Sequence, residues 1–506
     1  MPDHPSSNQN NHQSPAMSDP QPSSKGAPDP SGPKALSTLV VSLGLLITIS
    51  ALGASMAFGM PIYWGLVTGY LLFLGLALRA GYPLKSLVQT SLGSIYKVKT
   101  VLMMLALVGM IIPLWMQTGV LATLMAYSID AFSGFNLAVA AYLSSVAVSM
   151  ILGSGIGTTS TVGLVFIAIA RSIGLNEAMI VGAVVSGAYT GDRTSLMSSN
   201  FNLVSEITGT DLKGNFVYML SSTLPVFIMT TISYGFLGPS ASDSQAQSLD
   251  ALRQLLGQSF EIGPAQLIPP AVMLFFVLVL RQNMVVSLGA ALVLSIGSGL
   301  LGGGFEWMPL LTGLEGSGPI GALFSGSGLT SMMGALLLIA IASALSGLFQ
   351  MIRCLDPLLD RASRNLSTRG HLIFSTGMIS ILVSLVSGNQ TMTTLITGNY
   401  FKEKYEAFKI DRRLLARTIS DTGVVCVPLI PWNINGILVA TVTGVSTAAY
   451  LPYALSSWLL PAITLYFAAR GLHKTIRLGA PEATMIQRIA SSALPIGDHR
   501  HNEGSK

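Results

Sequence analysis

Asp192 and Asp421 stand inside long apolar stretches of this chain, 229 positions apart. The first lies in Gly187 to Ser195, where Thr190, Gly191, Arg193, Thr194 and Ser195 crowd around it. The second lies in Ile419 to Gly423, followed by Pro428, Pro431, Trp432 and Asn433. A charged side chain at mid-membrane costs about 2.5–3.5 kcal/mol even on the lenient insertion scale, so a carboxylate kept there marks a functional site. Burial disfavours a bare negative charge, which lets a proton and a Na⁺ compete for one site. Glycines, prolines and small polar residues on both sides imply that neither segment continues as a regular helix.

Hard cations take oxygen ligands. Two further clusters offer them: Ser154, Thr158, Thr159, Ser160 and Thr161 in Gly153 to Thr161, and Ser387, Asn389, Gln390 and Thr391 beside Gly388. Ser195, Ser198, Ser199, Asn200 and Asn202 follow the first aspartate, and Thr422, Asn433 and Asn435 follow the second. At a helix break, freed N–H groups face an anion and freed carbonyls face a cation. The expected binding set is Asp192, Asp421, Arg193, Ser154, Thr158, Thr159, Ser195, Ser198, Ser199, Asn202, Asn389, Gln390, Thr391, Thr422 and Asn433, with Asp192 holding Na⁺.

The elements that must position these residues are membrane helices. The chain is 50% hydrophobic and 10% charged, against about 25% charged in soluble domains. Runs without Asp, Glu, Lys or Arg cover 35–78, 100–129, 131–170, 214–242, 262–280, 282–305, 316–352 and 422–469. A spanning helix needs about 20 apolar residues, and these runs lack the alternation of a barrel. The fold class is an all-α polytopic membrane protein of about ten spanning helices. Its parts are a disordered cytoplasmic tail (1–34), N-terminal spans (35–99), a first transport repeat (100–238), connecting loops and spans (239–328), a second transport repeat (329–470) and a basic cytoplasmic tail (471–506).

Basic loops near Arg79 to Lys99, Arg353 to Arg369, Lys402 to Arg413 and beyond Arg470 belong in the cytoplasm. Segment 371–401 has basic flanks on both sides, so it reads as a re-entrant hairpin with its tip at Gly388 rather than one crossing. Its counterpart is 135–172, broken at 153–160 and entering from the other face. Each hairpin precedes a broken span with a buried Asp, at 178–210 and 414–445. That order makes an inverted repeat, a recurring plan of secondary transporters.

Each residue also has a plainer role open to it. Arg417 stands four positions before Asp421, a helical salt-bridge spacing, and is expected to neutralise it. The glycine-rich tips also suit close helix packing. Trp115 and Gln117 read as packing and helix–helix hydrogen bonding, and Trp64, Trp307 and Trp458 as interface anchors. Cys354 and Cys426 belong to no metal or disulfide motif, and no histidine falls mid-membrane, so no cofactor is expected.

The run Ser186 to Ser195, with Ser198, Asn202 and Leu203, resembles the first signature of the NhaC-type Na⁺/H⁺ antiporters. Arg417 to Gly423, through Pro428 to Asn433, resembles the second. Gly388 to Gln390 with Gly398 and Phe401, Gly155 to Gly163, and Ile112 to Gly119 match as well. The resemblance implies an ion-transporter fold with Na⁺/H⁺ exchange or, in some members, Na⁺/lactate with H⁺/malate exchange. Ser199, Asn389 and Ser420 stand where the family carries carboxylates, and Arg193 stands where it carries Lys. Arg cannot release a proton in a protein.

The reading is a secondary active transporter exchanging Na⁺ for H⁺ by alternating access. Its expected setting is the inner membrane of a bacterium, with both termini cytoplasmic. The alternative is a Na⁺- or H⁺-coupled carrier of a small carboxylate or amino acid, held by Arg193 or a helix N-terminus; a passive channel ranks below both. Expected partners are the lipid bilayer and a small ion or organic anion; nucleic acid is not among them, and a homodimer is compatible with the reading. No residue pattern for an intramembrane enzyme is present.

Overall fold

The computed structural model describes residues 36–132, 136–172, 174–238, 254–280, 282–302, 305–314, 328–363 and 366–470. The two tails expected at 1–34 and 471–506 lie outside the described residues. The described chain is built from helices. Six are long and apolar enough to cross a bilayer alone: Thr38–Ala57, Lys99–Gln117, Leu212–Leu237, Met284–Leu301, Leu329–Met351 and Arg369–Ser387. Two further pairs join at bends of 45° and 59°, and Tyr63–Arg79 and Leu137–Leu152 are shorter apolar helices.

Two elements differ from the sequence reading. The charge-free run 100–129, long enough for one span, divides into Lys99–Gln117 and Val120–Phe132. Gly119 between them adopts φ +71°, which ends a helix at little cost only for glycine. The basic stretch after Arg79, read as a loop, contains the helix Leu84–Lys97. Pro83 opens it, and Leu87 and Ser91 form its buried face. Its lysines fall at the ends and masked the short apolar face in the sequence.

Both hairpins form. The first pairs Leu137–Leu152 with Gly155–Thr158, a π-helical turn Thr159–Gly163 and Leu164–Ser172. The second pairs Arg369–Ser387 with Gln390–Ala407. Gly153 and Gly388 turn the tips at φ +63° and +61°. Asn136, Ser154 and Asn389 cap the helices that follow them by accepting backbone N–H groups, as N-cap residues do.

Each hairpin packs along the broken helix of its own half, and glycines let the backbones touch. A Cβ on Gly187 would lie 2.4 Å from the Tyr142 carbonyl oxygen; one on Gly423 would lie 2.2 Å from Ser380 Oγ. Such close approach through small residues is how helices bind in lipid. Gly187→Ala is therefore expected to force the two helices apart and destabilise the protein by about 1–3 kcal/mol. Thermal unfolding in detergent reads this as a lower melting temperature; an unchanged value would show that the contact yields freely.

Candidate functional site

The first broken helix runs Glu177–Thr194, then Ser195 to Ser198 extended or turning, then Ser199–Thr208. Asp192 thus lies in regular helix, one turn before the break, and not inside it as its neighbours implied. The reason is local: Gly191 does not interrupt the helix because it meets Ser149 and Val146 of the hairpin at close range. The second broken helix runs Arg412–Ile419, a π-helical turn Ser420–Val424, the 3-10 turn Val427–Leu429, and Ile434–Thr443. Asp421 sits in the π turn, as expected of a non-regular segment. Single π turns recur at functional sites.

Hairpin tips abut the breaks. Met197 and Ser198 press on Gly153, and Ser195 Oγ donates to the Met150 carbonyl at 2.6 Å. In the other half the Ile434 N–H donates to the Gly388 carbonyl at 3.0 Å, and Trp432 Nε1 donates to Leu385 at 2.7 Å. The halves then interlock. Tyr189 Oη donates to Asn435 Oδ1 at 3.0 Å, Asn435 Nδ2 donates to Asn433 Oδ1 at 3.1 Å, and Thr394 Oγ1 donates to Asn200 Oδ1 at 3.2 Å.

Asp192 is buried, at 6% exposure. Its carboxylate faces the Ser198 hydroxyl, the Gln390 side chain and the Gly155 N–H. These groups come from both halves, and each stands at a helix start: Gly155 and Gln390 are first residues and Ser198 is an N-cap. Three positive dipole ends thus surround one carboxylate, each worth about 0.3–1 kcal/mol. Among the described residues no Lys, Arg or His forms an ion pair with it. Gln390 Nε2 is buried and has no hydrogen-bond partner among the described residues.

Asp421 is in the opposite condition. Arg193 Nη2 lies 2.7 Å from its Oδ1, both side chains fully buried. Thr464 Oγ1 donates to Oδ2 at 2.8 Å. Arg417 Nε stands 3.9 Å from Oδ2, while its Nη1 donates to Ser221 at 3.1 Å and its guanidinium lies over the Tyr218 ring. The expected neutraliser, Arg417, is therefore the outer neighbour, and Arg193 of the other half is the partner. Arg193 also donates to Ser222 at 3.2 Å; its Nε and Nη1 have no hydrogen-bond partner among the described residues.

The remaining candidates divide. Thr158, Thr159 and Thr422 are buried and donate to the carbonyls of Ser154, Gly155 and Thr418. Their oxygen lone pairs stay free to meet a cation. Ser154 accepts from Gly157, Asn389 from Thr391, and Asn433 from its own helix start. Asn202 Nδ2 donates to Leu196 and Ser198 carbonyls across the break. Ser199 and Thr391 are exposed. Trp115 packs as expected and donates to Ser295 at 3.0 Å. Sequence reading missed Thr464, which stands in an otherwise apolar helix with nothing to single it out, and Tyr189, whose place beside Asp192 was the available signal.

Interrupted helices of two similar halves, converging on buried carboxylates inside a helical membrane bundle, define a secondary transporter. The chain belongs to the Na⁺/H⁺ antiporter family, whose model matches residues 187–472. It is 33% identical over 380 residues to the Na⁺/H⁺ antiporter NhaC of Alkalihalophilus pseudofirmus, covering 73% of this chain and 81% of that one. It is 30% identical over 403 residues to NhaC of Bacillus subtilis, covering 77% and 88%. The malate-2H⁺/Na⁺-lactate antiporter of B. subtilis is 24% identical over 452 residues, covering 86% and 94%.

Proposed function

We propose that the protein exchanges Na⁺ for H⁺ across a cytoplasmic membrane by alternating access, with both termini in the cytoplasm. The observation that carries this reading is Asp192: a buried carboxylate with no cationic partner among the described residues, held between two hairpin tips by neutral donors from both halves. Such a group is free to take either ion. The family and the two NhaC relatives support the choice of ions. Na⁺ is cargo here, received by the Asp192 carboxylate and the Ser198 hydroxyl, with Ser154, Thr158 and Thr159 of the hairpin tip that carries Gly155 as the further oxygens on offer. The positions of the basic loops support the orientation.

One observation favours a second reading, exchange of a small organic anion. Among the described residues Arg193 and Arg417 keep guanidinium N–H groups without hydrogen-bond partners, and one relative is named for malate and lactate. Purified protein in vesicles decides between them. Na⁺ applied outside should release protons from the lumen of acid-loaded vesicles, and lowering the outside pH should weaken this as protons outcompete Na⁺. Labelled malate or lactate counterflow with no Na⁺-driven proton movement would replace the first reading by the second. Flux without counterflow of any solute would point to a channel.

A further inference from the structure

Buried acids set how many protons a cycle can carry. Among the described side chains, Asp192 and Asp421 are the buried carboxylates. Glu206, Asp211, Glu261, Glu306, Asp360, Glu403, Glu406 and Asp411 are exposed, as is His371 at the start of the second hairpin. The two buried acids are not equivalent. Asp421 is clamped at 2.7 Å by Arg193, with Thr464 and Arg417 on its other oxygen. A guanidinium keeps its proton in a protein. Protonating Asp421 would leave that fixed charge buried and without its partner, a costly state. Among the described residues Asp192 faces the neutral donors Ser198, Gln390 and Gly155 N–H, with the Tyr189 phenol nearby.

We propose that the Arg193–Asp421 pair withdraws Asp421 from the proton cycle, so that exchange runs at one H⁺ per Na⁺ on Asp192 and is electroneutral. This rests on the Na⁺/H⁺ reading above. In one direction the Asp192 carboxylate crosses with one Na⁺ bound. In the other it crosses with one proton bound. Each transit moves the same charge, because Arg193, Asp421 and Arg417 keep theirs throughout. The cross-half pair is a positioning element that ties the two broken helices together while leaving one carboxylate open.

The test uses the wild-type protein in vesicles, with ²²Na⁺ and a pH dye, and a membrane potential set by K⁺ and valinomycin. A potential of either sign, without ion gradients, is expected to drive no Na⁺ movement. At any potential a tenfold Na⁺ gradient should be balanced by a tenfold H⁺ gradient in the same direction. Voltage-driven Na⁺ movement, or balance at about a threefold H⁺ gradient at zero potential, as two protons per Na⁺ require, would overturn the proposal. So would a balance point that moves in the charge-free double variant Arg193→Gln with Asp421→Asn, read on whatever flux remains. Absence of Na⁺-linked proton flux in the wild type is a distinct outcome: it removes the Na⁺/H⁺ reading, and the proposal with it.

Discussion

Asp192→Asn is expected to reduce Na⁺-driven proton flux to the level of protein-free vesicles. Asn keeps the shape and a carbonyl oxygen but neither binds a proton nor carries charge. Removing one partner from a buried charge pair costs about 3–5 kcal/mol; even about 3 kcal/mol of lost Na⁺ attraction is more than a hundredfold in affinity. The fold should survive, because Asp192 forms no ion pair among the described residues and Asn is easier to bury than a carboxylate. The measurement is paired: flux in vesicles and melting temperature in detergent. Normal flux in Asp192→Asn would take this residue out of the mechanism, and the Na⁺ site would have to lie elsewhere.

The second large effect is on stability. Arg193→Met leaves the Asp421 carboxylate buried beside only Thr464 and a more distant Arg417. Loss of one partner of a buried pair costs about 3–5 kcal/mol, whereas replacing both by apolar groups of similar volume is often neutral. Arg193→Met should therefore unfold at a clearly lower temperature, and Arg193→Met with Asp421→Leu should regain most of that loss. The cycle of two single variants and the double isolates their coupling. Additive losses would mean that the 2.7 Å contact is not the strong cross-half link described above.

Much of the architecture was readable because membrane helices must satisfy their own backbone groups. Where an apolar run contained Gly388 or Gly153 beside Asn, Ser and Thr, helix could not continue, and the tips formed at those glycines. The broken helices, expected at 178–210 and 414–445, run 177–208 and 412–443, within two residues of those bounds. Less legible was the state of Gly191. A glycine beside an aspartate reads as a breaker, yet here it lets the first hairpin approach and the helix runs on to Thr194. Ser199 follows Asp192 closely enough in the chain to suggest a site residue, yet it is exposed.

From the chain alone came the membrane class, the two interrupted halves and the two acids worth attention, since charge is too costly in hydrocarbon to be placed there without use. Which cation serves which acid was settled only by the folded bundle. The i,i+4 rule chose Arg417 for Asp421, but Arg193, from the other half of the chain, reaches it first. Local spacing ranks neighbours along one helix. Buried charges pair with the nearest group in space, and that group belongs to whichever helix the packing brings alongside.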